Sequence, residues 1–178
     1  MTNPTVASPP AAPSYPYSPG LEGVPAAESA LGYVDGAAGR LLYRGYRIGD
    51  LVERGSFASV ANLLWTGEWD PGHQIPTGPI PDAVMTTLRA LPKGAKPMDA
   101  LRTAVSVWGA TQNLTWPATA EQARSLTAFS PSALAAFARL RQGLEPIEPD
   151  PSLDLVPGYL YQLTGSRADP GTARALDA

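Results

Sequence analysis

A chain of 178 residues is long enough for one domain with a real core, and its 20 prolines and 17 glycines require part of it to be irregular. Its net charge of −3, with arginines scattered, offers no field to hold a phosphate backbone, so nucleic acid is not an expected partner. The lack of cysteine excludes disulfides, thiolate catalysis and cysteine-bound zinc. No basic-then-apolar signal peptide and no apolar run of about 18 residues occurs, so no membrane span is expected and a soluble, cytoplasmic protein is.

Residues 1–19 carry frequent proline and no apolar period, so they are expected to be a disordered leader. Tyr15 and Tyr17 stand between prolines, as in polyproline-type recognition segments, but a plain flexible tail is the expected reading. Leu31–Val34 and Arg40–Tyr43 then read as β-runs flanking Asp35-Gly36-Ala37-Ala38-Gly39, a hairpin that must dock on the helices after it. Ile48, Leu51 and Val52 form a short helical edge closed by Gly55. Ser56 caps a second helix with Phe57, Val60, Ala61 and Leu64 on one stripe, ending at Gly67. Trp65 and Trp69 at its end read as packing anchors rather than a ligand-stacking pair.

Asp70–Pro81 has four prolines and two glycines in twelve residues, which predicts a loop. It holds the only histidine, His73, which reads as a solvated side chain. Pro81 opens a helix with Val84, Met85, Leu88 and Leu91 on one side, stopped by Pro92.

Residues 96–110 predict the central helix. Pro97 suits its first turn, Asp99 favours its positive end, and Met98, Leu101, Val105 and Trp108 form the expected buried stripe with Arg102 beside it. Residues 118–142 read as helical on Leu126, Phe129, Ala133, Phe137 and Leu140. Ser130-Pro131 reads as a cap and first turn, giving either a kinked helix or two helices in line. Asp150-Pro151 starts the next helix, with Leu153, Val156, Leu160 and Leu163 as its stripe and Gly165 as its stop; Pro157-Gly158 is expected to weaken it. Asp169-Pro170 starts a last helix on Ala173 and Leu176 that has no stop signal, so it is expected to be cut rather than finished.

Pro97-Met98-Asp99-Ala100-Leu101-Arg102-Thr103-Ala104-Val105-Ser106 resembles the Pro-Met-x-x-Leu-Arg-Thr-x-x-Ser stretch of citrate synthases. Three further blocks agree in order and approximate spacing: Pro19–Val24, Gly39–Tyr46, and Ser56-Phe57 followed by Ala61–Glu68. Together they cover most of residues 19–178 and correspond to the N-terminal half of that family. The resemblance implies a mainly α fold, a multi-helical large-domain portion with a small N-terminal β-hairpin. It makes residues 20–178 one truncated helical domain after the leader. Two departures stand out. The family has an additional helix near residues 70–81, and it has a small residue and Asn before an aromatic-Leu-Tyr run where this chain has Val156-Pro157-Gly158-Tyr159-Leu160-Tyr161.

The implied activity is that of an acyltransferase condensing acetyl-CoA with oxaloacetate to citrate. In it, a carboxylate takes a proton from the acetyl methyl, one histidine stabilises the enol, a second polarises the ketone, and arginines hold the substrate carboxylates. The resemblance places those groups in the other half of the family's sequence. No catalytic, cofactor-binding or metal-ligating residue is therefore expected here, and acetyl-CoA is the family's substrate rather than a ligand of this chain. The expected partner is a complementary citrate synthase half or a second copy. The alternative is a non-catalytic relic or interaction module that pairs with an intact paralogue.

No other motif replaces that chemistry. Asp35-Gly36 lacks the alternating oxygen ligands of a calcium loop, and no glycine-rich phosphate cradle precedes a Lys-Ser or Lys-Thr. Glu145, Glu148 and Asp150 read as a solvated acidic run rather than a metal site. Arg102 reads as bonding helix ends or neighbouring carboxylates rather than a ligand. Helical stripes that the absent half would cover lead to marginal stability or self-association. A calorimetric scan is expected to show a broad, concentration-dependent thermal transition; a sharp transition independent of concentration would contradict this.

Overall fold

The computed structural model describes Gly20, Val24 and residues 28–177. The chain divides into Met1–Ala30 and Leu31–Ala178, and the fold below belongs to the second unit. The leader with Tyr15 and Tyr17, and most of the Pro19–Val24 block, lie outside the described residues.

Strands β1 (Gly32–Asp35) and β2 (Arg40–Tyr43) pair antiparallel, with Gly32 opposite Tyr43 and Asp35 opposite Arg40. Asp35 closes their connection: its carboxylate accepts the Ala38 N–H at 2.9 Å and the Arg40 guanidinium at 2.7 Å. The positive φ that the turn needs falls at Gly39, at 61°, and not at Gly36. A third strand, β3 (Tyr46–Arg47), was not expected from the sequence; it pairs with β2 after a two-residue turn in which Arg44 and Gly45 have φ of 48° and 89°. Two positive-φ residues in succession are the signature of a tight hairpin turn. A two-residue strand is too short to show alternation, so only the turn announces it.

Seven helices follow among the described residues: α1 (Ile48–Arg54), α2 (Phe57–Thr66), α3 (Asp82–Ala90), α4 (Pro97–Thr111), α5 (Ala120–Arg141), α6 (Leu155–Thr164) and α7 (Pro170–Asp177). Their ends follow local chemistry. The Ser56 hydroxyl accepts the Ser59 N–H at 3.2 Å while the Ser59 hydroxyl accepts the Ser56 N–H at 2.7 Å, so two orphan donors at the start of α2 are satisfied reciprocally. Thr119 and Gln122 do the same for α5. Residues 70–81 form neither helix nor strand, in keeping with their prolines, yet Ile75 and Thr77 within them are buried.

Helix α5 runs unbroken through Pro131. Ser130 is not a cap: it sits mid-helix and its hydroxyl donates to the Leu126 carbonyl at 2.7 Å. An internal proline costs about 3 kcal/mol. Phe129, Ser132, Ala133, Ala135, Ala136 and Phe137 are all buried around it, and at about 1.5–3 kcal/mol for each large apolar side chain that burial outweighs the local cost.

The main core lies where α3, α4 and α5 meet. Val84 and Leu88 of α3, Ala100, Ala104 and Trp108 of α4, and Phe129, Ala133, Ala136 and Phe137 of α5 form it. The Trp108 and Phe129 rings stack with centroids 5.6 Å apart and planes 23° from parallel. Of the expected stripe of α5, Phe129, Ala133 and Phe137 are buried and Leu126 and Leu140 are half-buried against the same core, with Ser132, Ala135 and Ala136 buried beside them. That of α4 is displaced: only Trp108 of the four is buried, Leu101 and Val105 are half-buried, and Met98 is 68 % exposed. Helix α2 likewise buries Ala58, Ser59, Asn62 and Leu63 and leaves Phe57 exposed.

Helix α6 corrects two expectations. It begins at Asp154, not Asp150, and it buries Leu155, Gly158 and Gln162 instead of the larger stripe. Pro157 is its third residue, where a missing N–H leaves no intrahelical bond unmade. Gly158 is a contact surface: a Cβ there would lie 3.1 and 3.2 Å from the Thr77 Oγ1 and Cγ2 atoms. The loop and α6 are tied by Asp154, whose Oδ1 accepts the Ile75 N–H at 2.7 Å and the Leu155 N–H at 2.8 Å. One turn further along the same buried face of α6, Ser132 donates to the Gln162 side chain at 3.1 Å, and Gln162 donates to the Ile147 carbonyl at 3.2 Å.

Gly158→Ala is therefore expected to lower unfolding stability by about 1–3 kcal/mol through overpacking, despite alanine's better helix propensity. Adding Thr77→Ala should restore part of the loss in denaturant titrations. A stabilised Gly158→Ala variant would contradict the close approach.

Candidate functional site

The single imidazole comes first, because a lone histidine limits what acid–base chemistry the chain can do. His73 lies in the loop between α2 and α3, half-exposed, its N–H donating to the Asp70 carbonyl at 3.2 Å. No carboxylate or arginine side chain bonds to it among the hydrogen bonds of the described residues. No group of three or more His, Asp or Glu side chains among the described residues is placed to hold a metal ion.

The other candidates are dispersed over the surface. The side chain of Arg102 is 79 % exposed and pairs with Asp99 one turn earlier at 2.8 Å, so it bonds a neighbouring carboxylate on its own helix. Within the acidic run, Glu145 pairs with Arg89 at 2.5 Å, and Asp150 with Arg167 at 2.6 Å, while Glu148 is exposed. Trp65 packs against the second small core of Ala58, Ile75 and Leu155, with the Arg124 guanidinium 5.4 Å above its ring. Trp69 lies 5.9 Å from the Tyr46 ring. Both tryptophans serve packing contacts.

Concave space does exist. A cleft of 580 Å³ lies between the start of α4, the exposed flank of α5 and α6, walled by Met98, Leu134, Phe137 and Ala138 with Lys96, Arg141 and Tyr159 among its polar groups. That volume is in the range of about 300–1,000 Å³ usual for ligand sites. Its ionisable set is two cations and a phenol, so no general base stands opposite a general acid. Arg141 is already committed to the Ala95 carbonyl at 2.6 Å and to the Phe137 ring face at 5.6 Å.

Four carboxylates are held below their usual range, each by a structural partner. Asp35 is lowered first by the Arg40 guanidinium and then by the Ala38 N–H. Glu145 is lowered by the hydrogen bond and charge of Arg89, which is raised in turn. Asp150 is lowered by the Ser152 hydroxyl and N–H before Arg167, and Asp169 by the Thr172 hydroxyl and N–H. These are ion pairs and helix or turn caps. A catalytic base would instead need its affinity for protons raised toward neutrality.

The fold is thus a mainly helical domain with a small three-stranded sheet, open to solvent at several clefts. Residues 20–178 match the family model described as citrate synthase, C-terminal domain. The chain belongs to the citrate synthase family. It is 37 % identical to a citrate synthase of Haloferax volcanii over 89 % of this chain and 46 % of that protein. It is 33 % identical to 2-methylcitrate synthase 2 of Corynebacterium glutamicum over 89 % and 44 %. Among solved structures it superposes on the citrate synthase of Pyrobaculum aerophilum with a TM-score of 0.75 at 27 % identity, over 89 % of this chain and 44 % of that one. The chain therefore spans less than half the length of the relatives it matches.

The lowered carboxylates set a pH dependence whose sign follows from linkage. A carboxylate with a folded-state pKa below its unfolded value contributes stability above the unfolded value, about 4, and loses it as pH falls through the folded value. The thermal midpoint is expected to be level near neutrality and to fall below about pH 4. Asp150→Asn should start lower at neutral pH and show a smaller acid drop; identical profiles for the two proteins would contradict the assignment.

Proposed function

We propose that this chain is the scaffold half of a citrate synthase-like acyltransferase, which condenses acetyl-CoA with oxaloacetate when a complementary portion supplies the reactive groups. The observation that carries this reading is the combination of family membership with a lone, half-exposed loop histidine. The chemistry requires a base to remove a methyl proton and separate donors to stabilise the enol and polarise the ketone. One imidazole cannot fill both donor roles. The span of less than half of the relatives' length agrees with a division of labour between two portions.

The surface supports a docking role for the same portion. Met98 at the start of α4 shares a cleft with Leu134 and Ala138 of α5, an apolar surface suited to a complementary portion or to a second copy. The same surface favours the second reading, a non-catalytic module that pairs with an intact paralogue. A cytoplasmic location belongs to the proposal too; no helix among the described residues is long and apolar enough to cross a membrane.

Mixing this chain with a complementary portion of a citrate synthase, and following thiol release from acetyl-CoA plus oxaloacetate, tests the first reading. Because the relatives include citrate and 2-methylcitrate synthases, an acyl-CoA one carbon longer is assayed in parallel. Activity that appears only in the mixture, and that His73→Ala leaves within about twofold, is expected. Failure with every complementary portion, together with capture of an intact paralogue, would defeat it in favour of the second.

A further inference from the structure

Strand β1 is the long open edge of the sheet. The strand order is β1-β2-β3, so β1 and β3 form the two edges. Strand β3 has only two residues, and its Tyr46 ring packs 5.9 Å from Trp69. Strand β1 has four, and among the described residues no strand pairs with its outer side. Its apolar side chains stand in solvent on both faces, Tyr33 at 56 % exposed and Val34 at 73 %.

The ladder decides which backbone groups face outward. The Arg44 N–H donates to the Leu31 carbonyl at 3.0 Å, and the register sets those two residues opposite each other. In an antiparallel pair, residues that exchange hydrogen bonds alternate with residues that do not. Tyr33 and Asp35 therefore bond inward to Leu42 and Arg40, whereas the N–H and C=O groups of Gly32 and Val34 point away from β2. These outward groups, two residues apart, are a template for a further strand. The usual protections of an edge are missing. Strand β1 has no proline and no bulge against β2, and its one charge, Asp35, is held by Arg40 at 2.7 Å.

The spacing also identifies the partner. Two antiparallel copies related by a two-fold axis at Tyr33 set Gly32 of each opposite Val34 of the other, so every outward group finds its complement. Tyr33 then faces its own copy across a non-hydrogen-bonded pair, where an aromatic pair adds to the stability of the seam. Gly32 leaves room for the opposing Val34. The two Asp35 carboxylates fall at opposite ends of the seam, so no like charges meet.

We propose that β1 pairs with β1 of a second copy of this chain, joining two sheets into one across a two-fold axis at Tyr33. The seam buries less than the roughly 1,200 Å² of a standard interface, so association is reversible and depends on concentration. It uses none of the residues of the Met98 cleft and stands or falls apart from the proposed function.

Sedimentation of the full chain tests this. The average mass of the wild type is expected to rise with concentration toward that of a dimer. Val34→Pro removes an outward N–H and leaves the β1–β2 ladder whole, which is the kind of strand position where proline is accepted. It costs each dimer two hydrogen bonds and is expected to raise the dissociation constant about tenfold or more. A second arm does not depend on how well the proline variant folds. The chain has no cysteine of its own. Tyr33→Cys is expected to cross-link to its own copy on mild oxidation, because Cα atoms of a non-hydrogen-bonded pair lie about 4.5 Å apart, within disulfide reach. Val52→Cys, exposed on α1, is expected to cross-link about tenfold more slowly or less, since nothing raises its local concentration. A wild-type chain that stays monomeric up to millimolar concentration, a dimer that Val34→Pro leaves as tight, or equal cross-linking at the two positions would each overturn the proposal.

Discussion

The architecture depends on the close approach of helices to α5 through small side chains. Ala133 and Ala136 face α3 and α4, and Ala100 and Ala104 answer them from α4, so the two backbones draw near enough for Trp108 and Phe129 to stack at 5.6 Å. On the other flank, Ser132 meets the Gln162 side chain of α6. The same logic brings the loop before α3 against α6, where Gly158 leaves room for Thr77. Interiors are close-packed, so each of these positions admits little extra volume. Helix α5 tolerates Pro131 because it is held on both flanks, not because its own hydrogen bonds are complete.

That constraint explains which parts of the fold could be read from residues alone. Helix ends were readable because caps act locally: Ser56, Gly67, Pro97 and Gly165 stand where the structure uses them. The buried stripe of α5 was readable because Phe129 and Phe137 outweigh the other faces. In α2, α4 and α6 the expected stripes were mostly off the buried face. There one large apolar residue each, Leu63, Trp108 and Leu155, is buried among Ala, Ser, Asn, Gly and Gln, and weighing residues by hydrophobicity discounts the small ones that let helices meet. Runs of Ala at i and i+4 were the available signal, as at Ala100 and Ala104. The strand β3 was hidden for a different reason, its length of two residues, although Arg44-Gly45 marked the turn.

The family was readable from one short motif. The resemblance of Pro97–Ser106 to citrate synthases was carried by polar and turn residues as much as by apolar ones, and the family match over residues 20–178 agrees with it. The structure adds that Arg102, the most site-like arginine of that motif, bonds Asp99 on its own helix. It adds too that the perturbed carboxylates all answer to caps and ion pairs. Large side chains expected inside, Met98 and Phe57 among them, stand at the surface, and Met98 lines the cleft that a further portion of protein would fill under the proposed reading.

The proposal that this chain is scaffold without its own reactive groups is tested most directly by steady-state assay of the purified chain alone, with acetyl-CoA and oxaloacetate and thiol release as the readout. No release above the buffer control is predicted. Turnover at an enzymatic rate that His73→Ala abolishes would contradict it, because the lone imidazole would then be doing the work assigned to residues outside this sequence.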